Sequence, residues 1–270
     1  MIEDLKLAIK GMVKSIMPAP KLHVLYRHVG GPVNNQADRP TWFSHEKCFK
    51  NFIESVSDES QGIELNIHIL FDGNNESLDC NFMGPWFEEF KNSNNENSKR
   101  LNLNLVKFNG GSMVASTHFA YDYAVNNDQI NDKDYVYILE NDYLHVPNWV
   151  GAINELIQSG IHFDYLSLYD HPDKYPNNKA FHIMHRDIQS EVFVTKNRHW
   201  RTSPSTCGSF IAQRKILKED FENLKSGQMD HLLFDQLVGK EKRILLTPMP
   251  SLSTHCMVNY LAPIVDWSSC

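Results

Sequence analysis

No apolar run in this 270-residue chain approaches the roughly 18 residues that a membrane span requires; the longest are of the size of Tyr135 to Leu139. A secretory leader is not apparent either, because Glu3, Asp4, Lys6, Lys10 and Lys14 interrupt any apolar core near the start. Its five cysteines are odd in number, widely spaced and without a Cys-x-x-Cys pair, which argues against a disulfide framework and a zinc ribbon. Reduced thiols and a cytoplasmic location are therefore expected. Positive charge is not in excess: 26 Lys and Arg stand against 33 Asp and Glu, a net charge of −7, so coating of nucleic acid through bulk charge is disfavoured. There is no internal repeat and no linker long enough to separate two domains. What remains is 41% apolar and 22% charged, an ordinary globular composition, long enough to bury a core without staples.

Residues Ile2 to Met17 carry apolar side chains at helical spacing with lysines between, and Pro18 and Pro20 end the pattern. The reading is an N-terminal amphipathic helix over residues 1–20, docked on the domain or on a twin subunit as a homodimer; a membrane-surface helix is the alternative. From Lys21 the pattern alternates strand and helix. Leu22 to Tyr26, Ile63 to Phe71, Leu101 to Leu105 and Tyr135 to Leu139 read as strands. Helices fall after Ser44, at Trp86 to Phe90 and at Met113 to Val125. This order predicts one α/β domain over 21–270 with a mainly parallel central sheet and helices on both faces. Its halves are expected at 21–142 and 143–270. In the second half, strands are expected near Tyr165 to Leu168, Val192 to Thr195, Ser209 to Ala212 and Ile244 to Thr247. Helices are expected at Trp149 to Gln158, Arg214 to Leu224 and His231 to Leu237.

In an open parallel sheet, ligands bind beyond the carboxyl ends of the strands. There the fourth strand runs into Glu140-Asn141-Asp142, and alternation places Glu140 and Asp142 on one side of an extended backbone. Two such carboxylates repel unless a cation joins them. Mg²⁺ or Mn²⁺ favours one or two carboxylates plus phosphate oxygens, which suits a nucleotide diphosphate; a strand end that happens to be acidic is the plainer alternative. The Gly110-Gly111-Ser112 turn opens a helix whose free N–H groups favour anions. The segment Lys196 to Arg201 places an aromatic, Trp200, among the cations Lys196, Arg198 and Arg201. It reads either as an acceptor surface, with duplex DNA among its partners, or as a solvated basic hairpin. His182 and His185 lack a zinc-type partner pattern and imply no second metal site.

The sequence resembles GT-A-type glycosyltransferases. The resemblance rests on Glu140-Asn141-Asp142 with its leading strand, on Asp72 closing the second strand, and on His255 after a late strand. It covers about Lys21 to Trp267 and is similar to compact bacterial and phage transferases that share wording such as Tyr169 to Tyr175, His199-Trp200 and Pro263 to Trp267. The family pattern is usually Asp-x-Asp; with Glu at its first position here, Asp142 is the safer metal ligand. The resemblance implies a nucleotide-sugar donor, a UDP-sugar foremost, and Mn²⁺ or Mg²⁺ held by Glu140, Asp142 and His255. It further implies donor contacts from Arg27, Asp72, Gly111, Ser112 and Asn141. Asp230, with Asp235 as runner-up, would be the catalytic base of an inverting transfer. Arg198, Trp200 and Arg201 would meet a hydroxyl acceptor, whether a glycan, a lipid-linked sugar or a modified base of phage DNA. Two alternatives stay open. A nucleotidyltransferase uses a similar sheet but normally carries a Gly-rich, basic loop after the first strand, which Tyr26 to Gly31 matches poorly; a non-catalytic binding module keeps the fold without turnover.

Overall fold

The computed structural model describes residues 19–29, 36–56, 62–92, 101–175, 188–227 and 230–270. The expected N-terminal helix, with its homodimer, lies outside them, as do His182 and His185. Strand β1 (Leu22–Val29) leads through α1 (His45–Ser55) to β2 (Leu65–Asp72). Helices α2 (Asn75–Asp79) and α3 (Met83–Asn92) precede β3 (Asn102–Phe108), and α4 (Met113–Asn126) precedes β4 (Tyr135–Glu140). There follow β5 (Tyr143–His145), α5 (Trp149–Ser159), β6 (Tyr165–Leu166), and a hairpin of β7 (Val192–Val194) and β8 (His199–Thr202). The chain then forms β9 (Phe210–Gln213), α6 (Arg214–Glu219), α7 (Phe221–Leu224), α8 (Asp230–Phe234), β10 (Leu245–Met249) and β11 (Ser253–His255).

Among the described residues one sheet has the order β3-β2-β1-β4-β9-β6-β10-β8-β7. Its β3-β2-β1-β4 half is wholly parallel, with Arg27 of β1 level with Glu140 of β4. Antiparallel β9 follows β4, and beyond it only β6 and β10 pair in parallel. Alternation along the strands feeds two apolar layers. Val24, Tyr26, Ile67 and Ile69 pack with Phe49 and Phe52 of α1 and with Trp149 and Ile153 of α5. Leu25, Leu70, Val136 and Ile138 pack with Ala120 and Ala124 of α4, Leu217 of α6 and Phe234 of α8. The α/β class with helices on both faces of one sheet is thus what the chain adopts. No described helix is long and apolar enough to cross a membrane.

The N-cap at Ser44 forms as the sequence predicts, its side chain accepting from the Lys47 N–H. One helix expected over Arg214 to Leu224 is two, broken at Asp220. That side chain is buried and accepts hydrogen bonds from Tyr165 and Arg243, which pins the backbone out of helical continuity. Strand β5 was not expected from periodicity, since three residues carry no readable period.

Candidate active site

The carboxyl ends of β4 and β10 each continue into a short strand, and these two, β5 and β11, pair antiparallel with His255 opposite Tyr143. That register carries His255 to Asp142 across 113 residues of sequence: Nε2 lies 3.0 Å from Oδ2. The Cys256 N–H extends the ladder by donating to the Asp142 carbonyl at 2.9 Å. Arg39, from the segment after β1, closes the arrangement. Its Nη2 donates to Asp142 Oδ2 at 2.8 Å and its Nη1 to the Cys256 carbonyl at 2.9 Å. The ring of His255 stacks on Tyr143 and its Nδ1 lies 3.4 Å from Cys207 Sγ.

At the same strand end, Arg27 Nη1 meets Glu140 Oε1 at 3.3 Å. The turn before β9 supports this pair. Ser209 Oγ accepts the Glu140 N–H, the Gly208 N–H donates to Asp230, and Gly208 takes φ +73° directly against the Glu140 carboxylate. Glu140, Asp142, Asp230, Arg27, Arg39 and His255 thus share one electrostatic neighbourhood, although they come from five separate stretches of chain. Asp235 begins the turn of wider helix that continues α8 beyond Asp230.

Burial sets the charge states there. It raises Glu140 to about 7, with Asp142 and Asp230 adding repulsion and Arg27 opposing. Burial also raises Asp230, against the Gly208 N–H and Arg27. For Asp142 burial is outweighed by His255 and Arg39, which hold the carboxyl well below its usual range. Burial would lower His255, but Asp142 and Cys207 push it well above the ordinary imidazole value. Among the described residues, Asp142 Oδ1, Arg27 Nε and Arg39 Nε belong to the buried polar atoms that have no hydrogen-bond partner. One unspent acceptor and two unspent cationic donors near a strand end suit an anionic ligand held partly through a cation.

Among the described residues no three His, Cys, Asp or Glu side chains gather as a complete metal cluster. A hard divalent ion bound with substrate phosphates needs only one or two protein carboxylates. Asp142, with its unpartnered Oδ1, fits that lesser requirement, whereas the adjoining His255 is pushed toward its charged form with both ring nitrogens engaged and would have to release a proton to become a ligand. Glu140 instead faces Arg27, and the expected three-residue ligand set is not formed.

The remaining sequence-predicted positions divide clearly. Asp72 Oδ1 accepts the Gly110 N–H at 2.7 Å and the Gly111 N–H at 3.4 Å, so it shapes the β3–α4 turn. Ser112 caps α4 through the Ala115 N–H, and Gly111 is exposed beside it. Asn141 Nδ2 lies 3.0 Å from His28 Nδ1. The acceptor reading of Trp200 and Arg201 is corrected by burial. Trp200 is 0% exposed, with Nε1 donating to Thr195, and no face is open to stacking. Arg201 is spent on buried Asp170, with Nη2 at 2.6 Å and Nε at 3.2 Å. Arg198 points elsewhere, donating to the Pro250 carbonyl at 2.6 Å. Sequence reasoning missed Arg39, Cys207 and Gly208. A cation within a loop and a Cys-Gly-Ser turn ahead of an apolar strand are signals too common to single out alone.

No protein-family model and no curated protein matches the chain. Among solved structures it is similar to CMP:2-keto-3-deoxy-manno-octonic acid synthetase complexed with CTP, with a TM-score of 0.46 and 8% identity over 84% of this chain and 88% of that one.

Proposed function

We propose that the chain is a transferase acting on a nucleotide-activated sugar, and that it moves the sugar to a hydroxyl acceptor. The observation that carries this reading is a pair of little-exposed arginines with unspent Nε donors, Arg39 bonded to Asp142 and Arg27 to Glu140, beside an Asp142 Oδ1 that also lacks a partner. Such a set at the carboxyl ends of parallel strands matches the demands of a diphosphate. Arg27 and Arg39 would hold the phosphate oxygens. Asp142, joined by His255 once that ring has released its proton, would hold Mn²⁺ or Mg²⁺, which when bound supplies Lewis-acid stabilisation of the departing diphosphate. Asp72, Gly111 and Ser112 would border the nucleoside. Glu140 or Asp230, both raised toward neutrality, could accept the proton of the incoming hydroxyl. With Trp200 and Arg201 internal, the acceptor surface proposed from the sequence retains only Arg198 from its set, and duplex DNA loses its structural support.

A second reading, nucleotidyl transfer, is favoured by one feature: the segment after β1 delivers a cation, Arg39, into the site. Products separate the two. Incubation with UDP-sugars and a hydroxyl acceptor should release nucleoside diphosphate. A nucleoside triphosphate with a sugar acid or sugar 1-phosphate would instead yield pyrophosphate, and a binding module would release neither. Asp142→Ala should reduce turnover by about 100-fold or more; unchanged turnover and unchanged Mn²⁺-dependent donor binding would overturn the assignment.

A further inference from the structure

At the amino ends of β1, β2 and β3, opposite the candidate active site, the sheet face toward α4 changes character. Leu25 and Leu70 join the core, but the same face carries His23, Asn66, His68, Asn102 and Asn104 nearer the strand starts. A cavity of about 480 Å³ opens over them, within the size range of small-molecule sites. We propose that this cavity is a second binding site, for a neutral polyhydroxylated ligand such as a sugar or polyol.

The chemistry of the lining selects that class. His23 Nδ1 lies 3.2 Å from His68 Nε2, and Tyr123 Oη lies 3.0 Å from His68 Nδ1, so the imidazoles form a fixed hydrogen-bonded chain. Burial lowers both histidines, His68 to about 4, and the chain is uncharged at neutral pH. At the rim the Lys21 ammonium is already paired with Glu64 at 2.6 Å. Among the described residues the cleft thus offers no unpaired cation to an anion. Its histidines bond to each other, and among the described residues no metal cluster forms. What it does offer is amide donors and acceptors in register on neighbouring strands, the inventory that sugar hydroxyls match. One is conspicuously unspent: Asn66 is 6% exposed, its Oδ1 accepts from Asn102, and its Nδ2 has no partner. A buried amide N–H left without an acceptor costs about 1–3 kcal/mol, which a ligand hydroxyl would recover.

Saturation-transfer and chemical-shift titrations of the full chain with free glucose, N-acetylglucosamine and glycerol test this. Binding should be seen in the wild type and persist in Asp142→Ala. It should weaken about tenfold in Asn104→Ala, which alters an exposed side chain and spares the fold, and in Asn66→Ala where that variant folds. No binding of any of the three, binding lost in Asp142→Ala, binding indifferent to Asn104→Ala, or binding of inorganic phosphate or Zn²⁺ in their place would each overturn the proposal.

Discussion

A side chain at position 208 would have nowhere to go. Its Cβ would overlap the Glu140 carboxylate, and the backbone there sits at φ +73°, where residues other than glycine are strained. Gly208→Ala should therefore displace Glu140 from Arg27 and destabilise the protein by about 1–3 kcal/mol, with turnover falling alongside; urea titration and product release measure the two. The buried Asp170–Arg201 pair makes a sharper contrast. Asp170→Ala leaves the Arg201 guanidinium, 5% exposed, without its carboxylate, and a loss of about 3–5 kcal/mol is expected. Arg198→Ala, outside any such pair, should stay within about 0.5 kcal/mol. At this scale Glu140 and Asp142 were legible because a buried strand running into acids is a local pattern. Arg39 and Gly208 were not, because their importance is defined by partners about a hundred and about seventy residues away.

Elements show the same division between local and long-range information. Strands β1 to β4 and helices α1 and α4 follow from alternation and caps written within a few residues of each end. Ser112 is one such device: its side chain accepts the Ala115 N–H at 3.1 Å. Ser112→Ala should cost about 1 kcal/mol in thermal or urea unfolding. Strands β5 and β8 were hidden, because each is defined by its neighbour rather than by its own periodicity. In β8, Trp200 and Arg201 read as a solvent-facing basic patch. Instead β8 is an inner strand between β7 and β10, and that position turns Trp200 into core and Arg201 toward Asp170. Composition alone does not say which strand will lie beside it.

Across the whole molecule, histidines held neutral in the interior govern the response to acid. Burial lowers His145 to about 3, His28 to about 3 with His45 adding repulsion, and His68 to about 4 with His23 adding repulsion. Each takes up its proton more readily once unfolded, near pH 6.5. Stability present above that value is therefore lost as pH falls toward the folded values. Each group should contribute a slope of about 1.4 kcal/mol per pH unit in that window. Unfolding followed between pH 7 and pH 4 should show the steep decline, and a flat profile would contradict the buried neutral assignment.

The ribbon of β5 and β11 has a consequence for how the protein comes into being. His255 follows Asp142 by 113 residues, and it reaches it only once β10 has joined the sheet. Contacts so distant in sequence form late, because the intervening loop must close before they return any energy. A chain stopped before β11 can thus own most of its sheet and still lack the Asp142–His255 pair. The Asp142–His255 pair can form only after β11 has been made and has joined β5.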